Sequence, residues 1–220
     1  MKTLLLHAFP LDERMWEGYE GIAPRLYGRG GRIDSWAQQL AVEHDGPLAV
    51  VGASMGGYCA LRLLAHADVR ALMLVGSRAG PDPPERRQAR DETIRLIREE
   101  GVAALWEKQR PVLFWERADE AVVARARELA LDQDPDELAT AVGAMRDRPD
   151  STDLIRETDA KVLVARGEYD PFLSVEDAHA LTEAAANSGL FYTFVGSGHL
   201  PSLERAREFN ELLTEFLEGV

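Results

Sequence analysis

The apolar residues of the chain follow two rhythms. Short unbroken runs recur at 3–7, 48–51, 71–75, 161–166 and 190–195, rich in Leu and Val and too short for helices. Runs of this kind, apolar on both faces, predict buried parallel strands. Between them the spacing changes to three and four, which predicts helices over Ser35 to His44, from Tyr58 to Leu64 and from about Pro201 to Leu217. A weaker strand is expected around Tyr19 to Pro24, followed by the turn cluster Gly28-Arg29-Gly30-Gly31. The segment 80–149 is different. It opens on Pro81-Asp82-Pro83-Pro84, carries helical runs at 85–100, 119–131 and 136–146, and contains no strand-like run. The expected organisation is therefore an α/β core formed by 1–79 and 150–220, interrupted by a helical cap over 80–149.

Composition narrows the field. A chain of 220 residues buries an ample core as one domain. The net charge of −13 argues against nucleic acid or an anionic membrane as the main partner and leaves a small molecule as the expected one. Cys59 is the only cysteine, so an intrachain disulfide is excluded. Leu4-Leu5-Leu6 is too short for a secretory apolar region, and no long apolar span suits a membrane, so a cytoplasmic location is expected.

The densest chemical signal is Gly52-Ala53-Ser54-Met55-Gly56, set between the strand at 48–51 and a helix. A G-x-S-x-G at a strand–helix junction is a nucleophile elbow. The turn admits only glycine at its flanks and holds the serine above the strand end beside a helix N-terminus. Serine needs a base, and the base needs an orienting acid. Of the five histidines, His7, His44, His66 and His179 sit at strand or helix ends or within a helical run. His199 lies in the loop Gly196-Ser197-Gly198-His199-Leu200-Pro201 after the last strand, where an open α/β sheet presents its chemistry. The acid is expected between serine and histidine. Asp170 follows the strand at 161–166 in Gly167-Glu168-Tyr169-Asp170-Pro171, with Glu168 and Asp82 as rivals. The amides of Phe9, in the loop after the first strand, and Met55 are the expected oxyanion donors.

Four segments carry a family resemblance: Leu-Leu-His-Ala-Phe-Pro-Leu-Asp (5–12), Val-Gly-Ala-Ser-Met-Gly-Gly-Tyr (51–58), Gly-Glu-Tyr-Asp (167–170) and Gly-Ser-Gly-His-Leu-Pro (196–201). In this order the chain resembles α/β-hydrolase-fold proteins of the compact bacterial esterase and lactonase type, which include 3-oxoadipate enol-lactonases and small carboxylesterases. The resemblance implies Ser54 as nucleophile, His199 as base, Asp170 as acid, and hydrolysis of a small carboxylic ester or lactone. Two departures stand out. Members usually have His-Gly where this chain has His7-Ala8, and an alanine at positive φ would cost about 1 kcal/mol. Members also carry about two strands ahead of that motif, so a sheet of about six mostly parallel strands without the usual antiparallel hairpin is expected. The Tyr19 to Pro24 strand would then be its edge, and a monomer is favoured.

Substrate clues are confined to the cap and its entry. Trp106, Phe114 and Trp115 with Arg110, and Arg78 after a core strand, suggest an apolar pocket with a cationic anchor for a carboxylated ester or lactone. No clustered His/Cys spacing and no G-x-G-x-x-G occurs, so neither metal nor organic cofactor is expected. The alternatives are the same triad used for C–C hydrolysis or elimination, and a non-catalytic ligand-binding member of the fold.

Overall fold

A computed structural model describes residues 1–185 and 189–219. Five parallel strands form one sheet: β1 (Lys2–Leu6), β2 (Leu48–Ala53), β3 (Val69–Val75), β4 (Lys161–Gly167) and β5 (Gly189–Phe194), lying side by side in chain order. Every pairing among the described residues is parallel, so the antiparallel hairpin is missing from the sheet as expected. The Tyr19 to Pro24 segment does not form a full strand. It meets β1 through a single bridge, with Leu5 N–H donating to Ile22 O at 2.9 Å and Ile22 N–H to Thr3 O at 2.8 Å. The physical reason lies next door. Gly21 has φ +153, a geometry that departs from an extended strand, and Pro24 has no amide to donate.

Because each new strand is added on the same side, right-handed crossovers place their helices on one face. Those helices are α1 (Ile33–Glu43), α2 (Met55–Leu63) and α7 (Val175–Ala184). Their apolar sides, including Trp36, Leu40, Leu61 and Leu181, pack with Leu4, Leu6, Val50, Leu72, Leu74, Val162 and Val164. The alternate strand residues Leu5, Val51, Met73, Val75 and Leu163 face the other way. That face is covered by a 3₁₀ turn (Glu13–Trp16) and α9 (Ala206–Glu218), which follows the short α8 (Pro201–Glu204). On α9, Phe209, Leu213 and Phe216 recur at helical spacing and are buried, each worth about 2 kcal/mol.

The helical segment between β3 and β4 comprises α3 (Pro84–Leu113), α4 (Glu120–Leu131), α5 (Pro135–Arg146) and the short α6 (Thr152–Glu157). Within α3, Gly101 leaves helical geometry at φ 83, ψ −179, dividing it into arms 84–100 and 102–113. A buried ion pair ties the two ends of this segment together. Arg148 Nη1 lies 2.7 Å from Asp82 Oδ1, and Arg148 Nη2 donates to Gly80 O at 2.8 Å. The Arg148 guanidinium also stacks 4.0 Å from the Tyr58 ring.

Candidate active site

The loops after β1, β2, β3, β4 and β5 converge at the carboxyl ends of the strands. Ser54, directly after β2, has φ 51 and ψ −110 and is the only non-glycine at positive φ among the described residues. Strain of this kind persists only where the surroundings enforce it. Here a Cβ at Gly52 would stand 2.6 Å from Gly57 N, and one at Gly56 would collide with Leu6 O. The turn is pinned further by the Ser77 hydroxyl, which donates to Ser54 O at 2.9 Å.

His199 Nε2 lies 2.8 Å from Ser54 Oγ, and His199 Nδ1 lies 2.9 Å from Asp170 Oδ1. The first contact is a hydrogen bond. The second has the distance of an ion pair but not the alignment of a full hydrogen bond. Asp170 and His199 are both buried, while Ser54 is partly open. Asp170 Oδ1 also accepts Phe172 N–H at 2.8 Å, and the Phe172 ring packs 4.5 Å from the imidazole. Arg166, buried in β4, donates to the carbonyls of Leu173, Glu168 and Asp170 and so cinches the Asp170 loop. The His199 loop is held by His199 N–H donating to Leu113 O at 2.8 Å. Glu204 completes it by accepting the amides of Gly198 (2.8 Å) and Trp115 (2.9 Å); burial holds the Glu204 carboxyl above its ordinary pKa.

The rivals are engaged elsewhere. Glu168 accepts Gly196 N–H at 2.9 Å, and Asp82 is paired with Arg148 and Arg90. His7 is a buried structural residue. Its Nε2 accepts Leu26 N–H at 2.9 Å, which leaves the proton on Nδ1 facing Ala8 O, and burial pushes its pKa down to about 4. Ala8 does not sit at positive φ, so replacing the family's glycine carries no backbone penalty here. Cys59 is buried, its thiol pushed up to about 12, which makes it inert as a nucleophile.

Gly76 packs against His199 and Asp170, a contact the sequence did not indicate. It follows β3 at φ +60, and a Cβ there would stand 2.7 Å from His199 Cε1 and 2.9 Å from Asp170 Oδ2. The signal available was a glycine ending a core strand, which says nothing of a contact with a distant loop.

Ser54 and His199 open into a cavity of about 570 Å³. Phe9, Tyr58, Arg78, Phe172 and residues of both arms of α3 line it. Of the pocket residues expected from sequence, Arg78 lines the cavity, whereas Trp106, Arg110, Phe114 and Trp115 do not. Trp106 and Phe114 are buried in the cluster beneath the sheet's α9 face, rings 6.1 Å apart. Trp115 stacks on Tyr169 at 5.5 Å, and Arg110 is exposed. Large aromatics gain more from a fully apolar neighbourhood than from a solvated pocket wall. Phe9 borders the cavity, and the Met55 side chain is buried beneath the elbow; neither amide has an acceptor among the described residues. Among those residues no cluster of His, Cys, Asp or Glu is placed to hold a metal ion, and no helix is long and apolar enough to cross a membrane.

Residues 3–212 match the model of the Alpha/beta hydrolase family. The chain belongs to that family. Its fold is similar to that of a thermophilic esterase from Thermogutta terrifontis solved with malate bound, at 28% identity and TM-score 0.89, covering 100% of this chain and 90% of that one. It is also similar to the enol-lactonase from Burkholderia xenovorans, at 21% identity and TM-score 0.82, covering 99% and 91%. An esterase from Exiguobacterium antarcticum gives 20% identity and TM-score 0.83, covering 99% and 92%. No curated protein gives a significant match.

Proposed function

We propose that this hydrolase-family protein is a serine hydrolase that cleaves a small carboxylic ester or lactone through an acyl-enzyme. The observation that carries the reading is the contiguous line Ser54 Oγ, His199 Nε2, His199 Nδ1, Asp170 Oδ1, with steps of 2.8 and 2.9 Å, opening on a cavity of small-molecule size. The esterase and lactonase neighbours support the same reaction class.

In this mechanism His199 Nε2 takes the Ser54 proton as Oγ attacks the carbonyl carbon. Asp170 keeps the other proton on Nδ1 and stabilises the imidazolium. The developing oxyanion is taken by the amides of Phe9 and Met55, the latter at the N-terminus of α2 where the helix dipole favours negative charge. His199 then protonates the departing alkoxide, and a water repeats the sequence on the acyl-enzyme. In a lactone the alkoxide stays tethered, and the product is a single hydroxy acid.

Hydrolysis of p-nitrophenyl acetate tests the reading. Ser54→Ala and His199→Ala should each lower kcat by roughly 10⁴–10⁶-fold, and the double variant should be little worse than either, because the two act as a unit. Asp170→Asn should cost less than either. A neutral phosphonate should label Ser54 once. Retention of more than a tenth of wild-type activity by Ser54→Ala overturns the assignment.

A further inference from the structure

Four cationic side chains line the cavity: Arg78, Arg86, Arg90 and Lys108. Two are already committed. Arg78 Nη2 lies 2.9 Å from Asp177 Oδ2 while its Nε donates to Phe172 O at 2.8 Å, which fixes the acid's loop. Arg90 Nε lies 3.1 Å from the buried Asp82. Lys108 is exposed. Arg86 is the anomaly. It is half-buried in the first turn of α3, and its guanidinium has neither a carboxylate nor a hydrogen-bond acceptor among the described residues. Its neighbours make this worse. Burial first, and then the charge of Arg78, hold its pKa below the ordinary arginine value, with Arg90 acting in the same direction and Tyr58 and Asp82 opposing. Glu85 also borders the cavity, but consecutive helical residues point about 100° apart, and Glu85 forms no pair with Arg86.

A guanidinium that gives up part of its hydration beside like charges, with no protein carboxylate as counter-ion, loses free energy. An anion entering the cavity returns it, and the fork of donors suits a carboxylate held by two parallel bonds. Much of the remaining wall is apolar (Phe9, Val112, Leu113, Met145 and Phe172), Tyr58, Thr93 and Gln109 add neutral polar groups, and the exposed Lys108 keeps its hydration, which leaves Arg86 as the half-buried cation without a partner. The positive pole at the start of α3 adds to the same field.

We propose that Arg86 anchors a carboxylate on the substrate, remote from the scissile carbonyl, so that the enzyme prefers anionic esters or lactones over neutral ones of the same shape. This names the substrate class of the serine hydrolase reading above and rests on it. It also moves the cationic anchor from Arg110, which is exposed outside the cavity, to a residue on the other arm of α3.

Two shape-matched pairs test it, with the carboxylate on the acyl side or on the alcohol side. The first is ethyl hydrogen adipate against ethyl 6-methylheptanoate. The second is the acetate ester of 4-hydroxybutanoate against 4-methylpentyl acetate. At low ionic strength the ratio of kcat/KM, charged over neutral, should exceed about 10 for at least one pair and shrink in added salt. Arg86→Gln should lower that ratio at least roughly tenfold, chiefly through KM, and Arg86→Lys should restore part of it. A ratio at or below one for both pairs, or a ratio unchanged by Arg86→Gln, overturns the proposal. Wild-type protein is treated in parallel with a neutral phosphonate and the Ser54 adduct is read by mass spectrometry. An adduct together with a flat ratio removes Arg86 as anchor and leaves the hydrolase reading standing. Absence of both adduct and hydrolysis of all four esters overturns both.

Discussion

Replacing Gly76 by alanine separates backbone cost from catalytic cost. At φ +60 an alanine loses about 1 kcal/mol relative to glycine. The added methyl carbon would stand 2.7 Å from His199 Cε1, 2.8 Å from His199 Nδ1 and 2.9 Å from Asp170 Oδ2. A comfortable carbon–carbon contact is about 3.5 Å, so the imidazole must retreat by roughly 0.8 Å. It has little room, being flanked by Phe172 and tied through its amide to Leu113. Overpacking adds about 1–3 kcal/mol to the backbone term. At this chain length each kcal/mol lowers Tm by about 2–4 °C, so the folded state should survive at 25 °C. A displacement approaching 1 Å costs on the order of 10²-fold in rate. Hydrolysis of p-nitrophenyl acetate at 25 °C should therefore fall roughly 10²-fold in kcat/KM while circular dichroism is retained. Gly46→Ala is the control. That residue also has positive φ, +81, but nothing lies within 4 Å of its Cβ position. It should lose about 1 kcal/mol in urea unfolding and keep its kcat. Activity of Gly76→Ala within threefold of wild type would refute the argument that this glycine makes room for His199 and Asp170.

Two further outcomes are expected. His7 is buried and neutral with a folded pKa of about 4 against 6.5 for the free side chain, so its contribution to stability is complete above pH 6.5. As pH falls from 6.5 to 4 the unfolded chain takes up a proton the folded one refuses, costing about 1.4 kcal/mol per pH unit and roughly 3 kcal/mol in all. Urea unfolding across that window, with an NMR titration showing the His7 ring neutral down to about pH 5, checks this; titration near 6.5 contradicts it. Arg148→Met strips the fully buried Asp82 of its nearer partner and should cost about 3 kcal/mol, whereas adding Asp82→Leu should recover part of the loss. A double variant less stable than Arg148→Met alone would show that the pair itself, rather than the orphaned charge, supplies the stability.

The elbow was legible because its physics is local. A strand, a turn too tight for side chains and a helix all fall within a few residues of Ser54, and each leaves a compositional mark. The loops bearing Asp170 and His199 were legible for the same reason, as polar, glycine-bearing segments directly after apolar strands. What escaped the sequence were relations between distant segments. Trp106 and Phe114 advertise burial, but the pattern does not say which apolar surface receives them, and the sheet's α9 face outcompetes the pocket. Gly76 shows only that a strand ends, and its contact with His199 exists only after the loops converge. The Tyr19 to Pro24 segment has strand-like composition, yet Gly21 at φ +153 limits it to a single bridge. Arg86 looks like any charged residue in a helix's first turn until its lack of a counter-ion is seen in three dimensions.

The break at Gly101 gives α3 two fates under selection. The later arm ends at Leu113, whose carbonyl holds the His199 loop, so substitutions there carry a double burden: they alter the cavity wall and disturb the imidazole together. The earlier arm carries Glu85, Arg86, Ala89, Arg90 and Thr93 on the cavity wall and makes no bond to the Asp170 or His199 loops among the described residues. Changes at those five positions should reshape recognition while the Ser54–His199–Asp170 line stays put. New specificities, natural or engineered, are therefore cheapest to reach through residues 84–100, where a variant that fails to bind one compound still arrives with its reactive centre assembled for another.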